Sequence, residues 1–450
     1  MNRVGWYTYP YNPHSLVETT AAFYPPQEGF TYMIPVTTHP VAPCHPIFSR
    51  WDAVSGRIIE ILDRVGTQWV AVECFERRQV HNDRLRGEHT ETRETRETTV
   101  LITVQEFPYI DSDYRKILHE IYECSGGLFI ELLEGTVWCG ATQTAYGWAI
   151  DVLDLRFPDA IDYRDGKLWS RYGGNLSSNT YVATDGIDKC LGNFSCYLLL
   201  SKAGEKAASD VKECCLACHH TVSLRRGRFT RTGKELRPIT EDIGKNIRIR
   251  CPTGREFAID IFERPFDKPG YEDVEEEHIG NVLASSGLAV SKDDNCRLDW
   301  AVVHCEPGKC GKNVSMGDVH QNTTNVTIDR WARPTGNSEI YLAGRRRRQK
   351  GYLNTVKSCV CYRNAGQETR TKEWAAIGGS KGHFVYNDPG GQLVVGESNN
   401  EALGVVWGGT RSKLTIDVAA IYITPLHIIA QSIREATGYD VSLAGGSKIA

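Results

Sequence analysis

The sequence predicts a multidomain α+β protein, in which a small N-terminal α+β module precedes an all-β domain with a C-terminal helix. The chain has 450 residues, of which 41% are hydrophobic and 24% charged, enough for two or three domains with buried cores. Apolar residues recur at helical spacing in two early segments and one terminal segment. From about residue 172, short apolar runs instead follow one another with Gly, Pro, Asn and Asp between them, which is typical of a sandwich or barrel.

Residues 1–50 are rich in proline and tyrosine, which predicts an extended arm. Residues 51–160 are predicted to form the α+β module, whose role the sequence leaves open. Its predicted elements are a helix from Trp51 to Gly66, strands over Gln68–Phe75 and Thr98–Gln105, a charged loop over Glu76–Glu97, a helix over Asp111–Ser125 and a strand over Leu128–Leu133. The histidines of this module are scattered, so we expect no catalytic grouping there.

The all-β domain is predicted over residues 172–450. Its predicted strands include Phe194–Leu200, Cys214–Cys218, Ile247–Cys251, Phe257–Phe262, Leu298–Cys305, Thr324–Asp329, Ile340–Leu342 and Thr355–Tyr362. Pro425 then starts a helix that Gly438 ends.

Charge and hydropathy exclude several classes of function. The net charge of −4 and pI near 6.4 argue against nucleic-acid binding, which requires a basic surface. No apolar run approaches the roughly 18 residues that span a bilayer, and the N-terminus lacks a secretory signal. We therefore expect an intracellular protein, cytoplasmic or nuclear, with reduced cysteines, no cofactor, no membrane contact and a peptide or protein as its partner.

Three stretches carry the candidate chemistry, in the order His, Asp, Ser. The first is Cys214–Val222, an apolar run that ends at the pair His219–His220. The second is Cys296–His304, in which Asp299 precedes a strand. The third is Ile377–Gly409, where Ser380 and Lys381 lie between glycines and an apolar run ends at Trp407. A small polar residue between glycines suits a nucleophile, because glycines let backbone N–H groups approach a reacting carbonyl.

This order and these flanks resemble the chymotrypsin-like (trypsin-like) serine peptidases, in particular divergent intracellular forms of filamentous fungi, over about residues 172–440. Leu216–Val222 resembles the family's block around the catalytic histidine, and Leu298–Val302 its block around the aspartate. Val405–Gly409 is similar to the strand lining the specificity pocket, and Ile421–Pro425 with the terminal helix to the segment that closes the fold. The resemblance implies a double β-barrel.

The resemblance also implies roles in acyl transfer by an endopeptidase. His220 would be the general base, Asp299 would orient its imidazole, and Ser380 would be the nucleophile. Gly379 would contribute to the oxyanion hole. Substrate would bind along Val406, Trp407 and Gly408.

The nucleophile motif departs from the family pattern, which reads Gly-Asp-Ser-Gly-Ser/Gly, one further residue, then Val. Aligned without a gap through Gly379 and Gly382, the chain has Lys381 in the place of the serine. Ser380 takes that place only with one extra residue, which a bulge must absorb. A lysine cannot replace a hydroxyl that a histidine activates. The alternative function is therefore a catalytically inactive pseudo-protease that binds peptides or proteins.

A third hypothesis is a zinc-stabilised interaction protein. Its ligands would come from Cys215, Cys218 and His219, with Cys305 and Cys310. Against this hypothesis, the first cysteines lie in a strand, where alternate side chains point to opposite faces.

Overall fold

The computed structural model describes the greater part of the chain. The described residues are 16–19, 36–82, 92–105, 112–139, 181–184, 192–202, 211–223, 238–240, 248–251, 277–315, 325–343, 349–364, 367–378, 390–412 and 418–449. These ranges form mostly β-strands with few helices, as the sequence predicts. Within them, no helix is long and apolar enough to cross a membrane. The predicted strand over Phe257–Phe262 and the predicted domain boundary near residue 160 lie outside them.

The N-terminal elements form one sheet with two helices packed against it. In chain order they are β1 (Leu16–Thr19), β2 (Val36–His39), α1 (Trp51–Arg64), β3 (Trp69–Asn82), β4 (Thr92–Val104), α2 (Ser112–Cys124) and β5 (Phe129–Cys139). Helix α1 buries Ile58, Ile61 and Leu62, which share one face at helical spacing. It ends before Gly66, whose φ of 69° favours glycine. The two N-terminal strands, from the arm predicted over residues 1–50, pair with β5 and β3.

The charged stretch Glu76–Glu97 corrects one sequence prediction. It was predicted to be a charged loop, interpreted as an ion-paired, solvated hairpin tip, but strand covers both of its ends: β3 continues to Asn82 and β4 begins at Thr92, in antiparallel register from Asn82↔Thr92 onward. Threonines recur through the second half of this stretch, and β-branched residues favour strands. Charged residues of opposite sign face each other at Arg77↔Glu97. The charges therefore decide neither the conformation nor the exposure of these residues, since Arg77 is fully buried against Glu131.

The elements after residue 180 are predominantly strands. In chain order they are β6 (Tyr181–Thr184), β7 (Gly192–Lys202), β8 (Lys212–Ala217), α3 (His219–Ser223), β9 (Arg248–Cys251), β10 (Glu277–Ser285), β11 (Ala289–Val290), β12 (Arg297–Leu298), β13 (Ala301–Cys305), β14 (Val314–Ser315), β15 (Val326–Thr327), β16 (Glu339–Ala343), β17 (Gln349–Leu353), β18 (Ser358–Asn364), β19 (Gln367–Gly378), β20 (Leu393–Gly396), β21 (Ala402–Ser412), β22 (Val418–Pro425), α4 (Leu426–Thr437), β23 (Tyr439–Leu443) and β24 (Lys448–Ile449).

Two closed rings of strands follow from the pairing. In the first, the order β7-β6-β9-β10-β13-β8 closes because β7 also pairs with β8, from Phe194↔Ala217 to Leu200↔Lys212. In the second, the order β19-β17-β16-β20-β21-β22 closes because β19 pairs with β22, for example at Trp374↔Ile423. Closing a sheet on itself removes its exposed edges.

The N-terminal sheet and the second ring form one continuous sheet. Strand β3 pairs with β18, which pairs with β19 of the ring. Strand β5 pairs with β21 from Gly408↔Cys139 to Ser412↔Gly135. Phe75 and Leu101 of the N-terminal sheet pack in one apolar cluster with Trp407 of the second ring.

The C-terminal helix α4 packs in an apolar cluster to which both rings contribute. It begins directly after Pro425 and ends at Gly438, whose φ is 75° and whose N–H bonds to the carbonyl of Arg434. Its apolar face, which includes Ile429 and Ile433, packs in the cluster that contains Leu216 of β8. Strand β23 then pairs with β7.

Candidate functional site

His220 lies on the single turn α3, directly after strand β8. It is buried, with 6% of its surface exposed. Its neighbour His219 has a different environment, because its Nδ1 lies 2.7 Å from Ser285 Oγ and its backbone N–H bonds to the carbonyl of Asp299. The histidine whose imidazole is hydrogen-bonded to the carboxylate of Asp299 is His220.

Asp299 lies between β12 and β13 and accepts two hydrogen bonds from His220. Its Oδ2 is 2.6 Å from His220 Nδ1, and its Oδ1 accepts the backbone N–H of His220 at 3.0 Å. The topology explains this meeting, since β13 pairs antiparallel with β8 at Ala301↔Ala217. The residues just before β13 and just after β8 therefore lie at the same end of the ring.

The electrostatics of this pair favour an ionised aspartate. Burial raises the pKa of Asp299, but the charge and hydrogen bond of His220 outweigh burial and bring the pKa down to about 2. A carboxylate only accepts hydrogen bonds, so His220 Nδ1 carries the hydrogen. Nε2 is then the acceptor of the neutral ring, and this buried atom has no hydrogen-bond partner among the described residues. The pair is arranged to take up a proton or accept a hydrogen bond at Nε2.

The proposed zinc ligands do not form one group in the described part of the chain. Cys218 Sγ donates to the carbonyl of Val406 at 3.7 Å, and His219 bonds to Ser285. Cys305 instead exchanges hydrogen bonds with the thiols of Cys215 and Cys310. Only Cys218, His220 and Asp299 bring potential ligand atoms within 4.8 Å of one another. The Nδ1 and Oδ2 atoms of that group already bond to each other, which fits a His–Asp pair better than a tetrahedral metal site.

The residues predicted to bind substrate are all buried in β21. The N–H of Val406 donates to the carbonyl of Gln392, and its carbonyl accepts the N–H of Gly391 at 2.6 Å. The indole N–H of Trp407 donates to Glu373 Oε2 at 3.1 Å. Gly408 pairs with Tyr422 on one side and Cys139 on the other. The backbone edge at both ends of this tripeptide is therefore occupied by other parts of the same chain.

The predicted nucleophile stretch, Gly379, Ser380 and Lys381, lies outside the described residues. Gly378, the last described residue before it, pairs with Gly351 in the second ring.

The sequence predicts a turn over Asn387–Gly391 as a chain reversal and assigns it no chemistry, and the last residue of that turn contacts β7 and β21. Gly391, with a φ of 84°, donates its N–H to Val406, and its carbonyl accepts Ser195 Oγ at 2.5 Å. Ser195 lies on β7 between Phe194, which pairs with Ala217, and Cys196, which pairs with Leu216. These contacts hold Gly391 against the end of β8 from which α3 and His220 emerge.

The sequence around this turn also fits the peptidase motif. Residues 387–393 read Asn-Asp-Pro-Gly-Gly-Gln-Leu, so Asp388 and the two glycines match Gly-Asp-Ser-Gly-Gly before an apolar strand. In this placement Pro389 takes the place of the serine and Asn387 that of the first glycine. The signal that could have revealed it is an aspartate followed two residues later by a glycine pair and then an apolar strand.

Comparisons with known proteins give a limited result. No protein-family model and no curated protein matches this chain. Among solved structures, chymotrypsin of Cellulomonas bogoriensis has 13% identity and a TM-score of 0.31, over 60% of this chain and 98% of that one. Protease A of Thermobifida fusca has 11% identity and a TM-score of 0.31, over 60% of this chain and 100% of that one.

Proposed function

We propose that the two closed rings are the double barrel of a chymotrypsin-like peptidase fold, and that this protein binds a peptide or protein segment without cleaving it. The fold proposal is supported by the ring closures and by the hydrogen-bonded His220 and Asp299 at the end of the first ring. The lack of catalysis is inferred from the sequence of the turn that ends at Gly391, where Pro389 takes the place of the serine, and Gly391 itself bonds to Val406 and Ser195.

Pro389, which lies outside the described residues, directly precedes the Gly390–Gly391 pair in the sequence. A residue at this point of the motif would supply the nucleophile and, through its own backbone N–H, one donor of the oxyanion hole. Proline supplies neither, because it has no hydroxyl or thiol and no backbone N–H. Acyl transfer would lose both its attacking group and part of its transition-state stabilisation.

The retained pair has a use in binding. With Asp299 holding the hydrogen on Nδ1, His220 presents Nε2 in a buried position as an acceptor for an N–H or O–H group of a ligand. A buried, oriented acceptor selects ligands with a matching donor, since a ligand without one leaves the acceptor unsatisfied. His220→Ala should therefore weaken binding of peptides selected on the wild-type protein from a displayed random library.

A fluorophosphonate, which labels activated serines, tests the absence of catalysis. We expect no labelling of the wild-type protein and labelling of Pro389→Ser, because under this proposal the change restores a hydroxyl at the nucleophile position of the motif. Pro389→Ala and the double variant Pro389→Ser/His220→Ala are the matched controls and should remain unlabelled. Labelling of the wild-type protein would contradict the proposal.

The second candidate is the serine endopeptidase with Ser380 as nucleophile. The observation that favours it is the 2.6 Å contact between His220 and an ionised Asp299, which prepares the imidazole as a general base. The same probe decides, since labelling of the wild-type protein that disappears in Ser380→Ala would establish this candidate.

The stretch around Gly379 and Lys381 is an alternative site for the bound peptide. There the backbone N–H groups beside Lys381 would bind a carboxylate, such as a chain terminus. Lys381→Glu should then abolish peptide binding, whereas unchanged binding would leave only the placement at Pro389.

A further inference from the structure

Strand β21 has an edge that two other parts of the chain share. Strand β20 pairs with this edge at Leu393↔Val405, and the backbone of Gly391 and Gln392 continues the pairing to Val406. From Gly408 to Ser412 the same strand pairs with β5 of the N-terminal module, in antiparallel register. On its other side β21 pairs with β22 from Gly404 to Arg411. Strand β5 therefore completes the edge where the second ring leaves it open.

This edge includes part of the stretch to which the peptidase resemblance assigns substrate binding. An extended peptide binds an exposed strand edge through main-chain hydrogen bonds, so such an edge accepts one strand at a time. Since Cys139 of β5 is the partner of Gly408, a ligand strand that reaches Gly408 has to replace it.

We propose that β5 is an internal ligand of this site, which blocks the edge of β21 until the segment Gly135–Cys139 is released. This inference rests on the proposed peptide-binding function and adds the class of ligand. The ligand is an extended segment running antiparallel to β21, with the apolar and β-branched character of Thr136–Cys139. The N-terminal module is thus an autoinhibitory domain.

The pairing of β5 shows how release can occur without unfolding the module. Its first part, Phe129–Glu134, pairs in parallel with β4, and Leu133 also pairs with β1. Its second part, Gly135–Cys139, pairs only with β21 among the described strands. Leu132 in the first part is fully buried, whereas Thr136 and Val137 are partly exposed. Gly135 lies where the two parts meet, and glycine is the residue at which a strand bends most readily.

Hydrogen–deuterium exchange of the full-length protein tests the release. We expect the amides of residues 135–139 and 408–412 that donate across the β5–β21 pairing to exchange at least tenfold faster than those of residues 129–134 and 99–104, because local opening frees only the second part. Equal protection of both parts would overturn the proposal. This readout does not depend on catalysis, so it separates failure of this inference from failure of the proposed function.

Competition by a peptide tests the blocking. A fluorescein-labelled peptide with the sequence of residues 134–139, with serine in place of cysteine, should bind Val137→Pro at least tenfold more tightly than the wild-type protein. Proline weakens the β5–β21 pairing because it cannot donate a ladder hydrogen bond. Thr92→Pro, at the start of β4, is the matched control and should bind like the wild-type protein.

A disulfide between β5 and β21 should have the opposite effect on peptide binding from Val137→Pro. Thr136 and Arg411 are register partners, so a disulfide in Thr136→Cys/Arg411→Cys should hold β5 in place. We expect the oxidised variant to lose peptide binding and to regain it on reduction, with the cross-linked peptide identified by mass spectrometry. Equal binding by the oxidised variant, the reduced variant and Val137→Pro would overturn the proposal.

Discussion

Asp299 and Glu73 are two carboxyl groups that the fold buries almost completely, one at the candidate site and one where the N-terminal sheet meets the second ring. Burial raises the pKa of both. For Asp299, the charge and hydrogen bond of His220 outweigh burial, so its pKa falls to about 2. For Glu73 the pKa rises to about 7.

The difference lies in the partners. Glu73 accepts hydrogen bonds from three neutral hydroxyl groups, Tyr422 at 3.0 Å, Ser358 at 3.1 Å and Thr410 at 3.4 Å. These bonds lower its pKa but do not offset burial. The contact with His220 keeps the pKa of Asp299 low, whereas the three neutral donors leave the pKa of Glu73 at about 7. The candidate site therefore holds a permanent anion, and the junction with the N-terminal sheet holds a group that changes charge.

The largest expected effect is that of Glu73→Gln on the free energy of unfolding. Folded Glu73 keeps its proton up to about pH 7, while the unfolded group loses it near 4.5. The folded state thus binds more protons in this window, and the contribution of Glu73 to stability falls as the pH rises through it. We expect the free energy of unfolding of the variant to exceed that of the wild-type protein by about 3 kcal/mol at pH 8. The difference should narrow toward pH 4.5. Urea unfolding followed by tryptophan fluorescence measures both.

The control is Glu60→Gln on the exposed face of α1, where the side chain is 67% exposed and the change of charge is the same. It should leave the stability unchanged at both pH values. A Glu73→Gln variant that gained nothing at pH 8 would show that the buried carboxylate has found a cation.

Asp299→Asn tests the buried carboxylate at the candidate site, and it should lower the free energy of unfolding by about 2 kcal/mol. The amide nitrogen of asparagine would face one of the two N–H groups of His220, leaving a buried donor unsatisfied. Because the folded pKa is depressed from 3.8 to about 2, the stabilisation is complete above pH 4 and disappears as the pH falls through 2. The deficit should therefore be full at pH 7 and shrink below pH 4. An equal deficit at every pH would assign the loss to shape and not to charge.

Tyr422→Phe is the smallest of the three changes, with an expected loss of about 1 kcal/mol at pH 8. It removes one neutral donor from Glu73 and keeps the ring, whose centroid lies 5.5 Å from that of Trp407. Since that hydrogen bond lowers the pKa of Glu73, its removal should move the midpoint of the stability change to higher pH. A midpoint at lower pH would contradict the role of the hydroxyl groups.

Local patterns predicted the helices well and the extent of the strands less well. The apolar faces of α1 and α4 repeat within each segment, and Gly66 and Gly438 end them, so neighbouring residues contain the needed information. The pairing of β5 with β21 connects residues about 270 positions apart. The sequence of neither segment predicts that it pairs with the other.

The candidate site divides in the same way. His220 and Asp299 stand out because each follows or precedes an apolar strand, and neighbouring antiparallel strands bring them together. Gly391 was missed because its role depends on Ser195, which is 196 residues away in the chain. Pro389 also has no nucleophilic or titratable side chain that would mark it as a candidate catalytic residue.

Asn354 joins the two ends of the chain and so determines when the N-terminal sheet can be finished during synthesis. Its buried side chain accepts the N–H of Val41 and donates to the carbonyl of Cys74, 280 residues earlier. At ribosomal rates of about 5–20 residues per second, strand β3 emerges roughly 15 to 60 s before this partner exists. During that interval its outer edge, which later pairs with β18, is open to other nascent chains. The edge of β3 that pairs with β18 is therefore completed only after the segment around Asn354 has been synthesised.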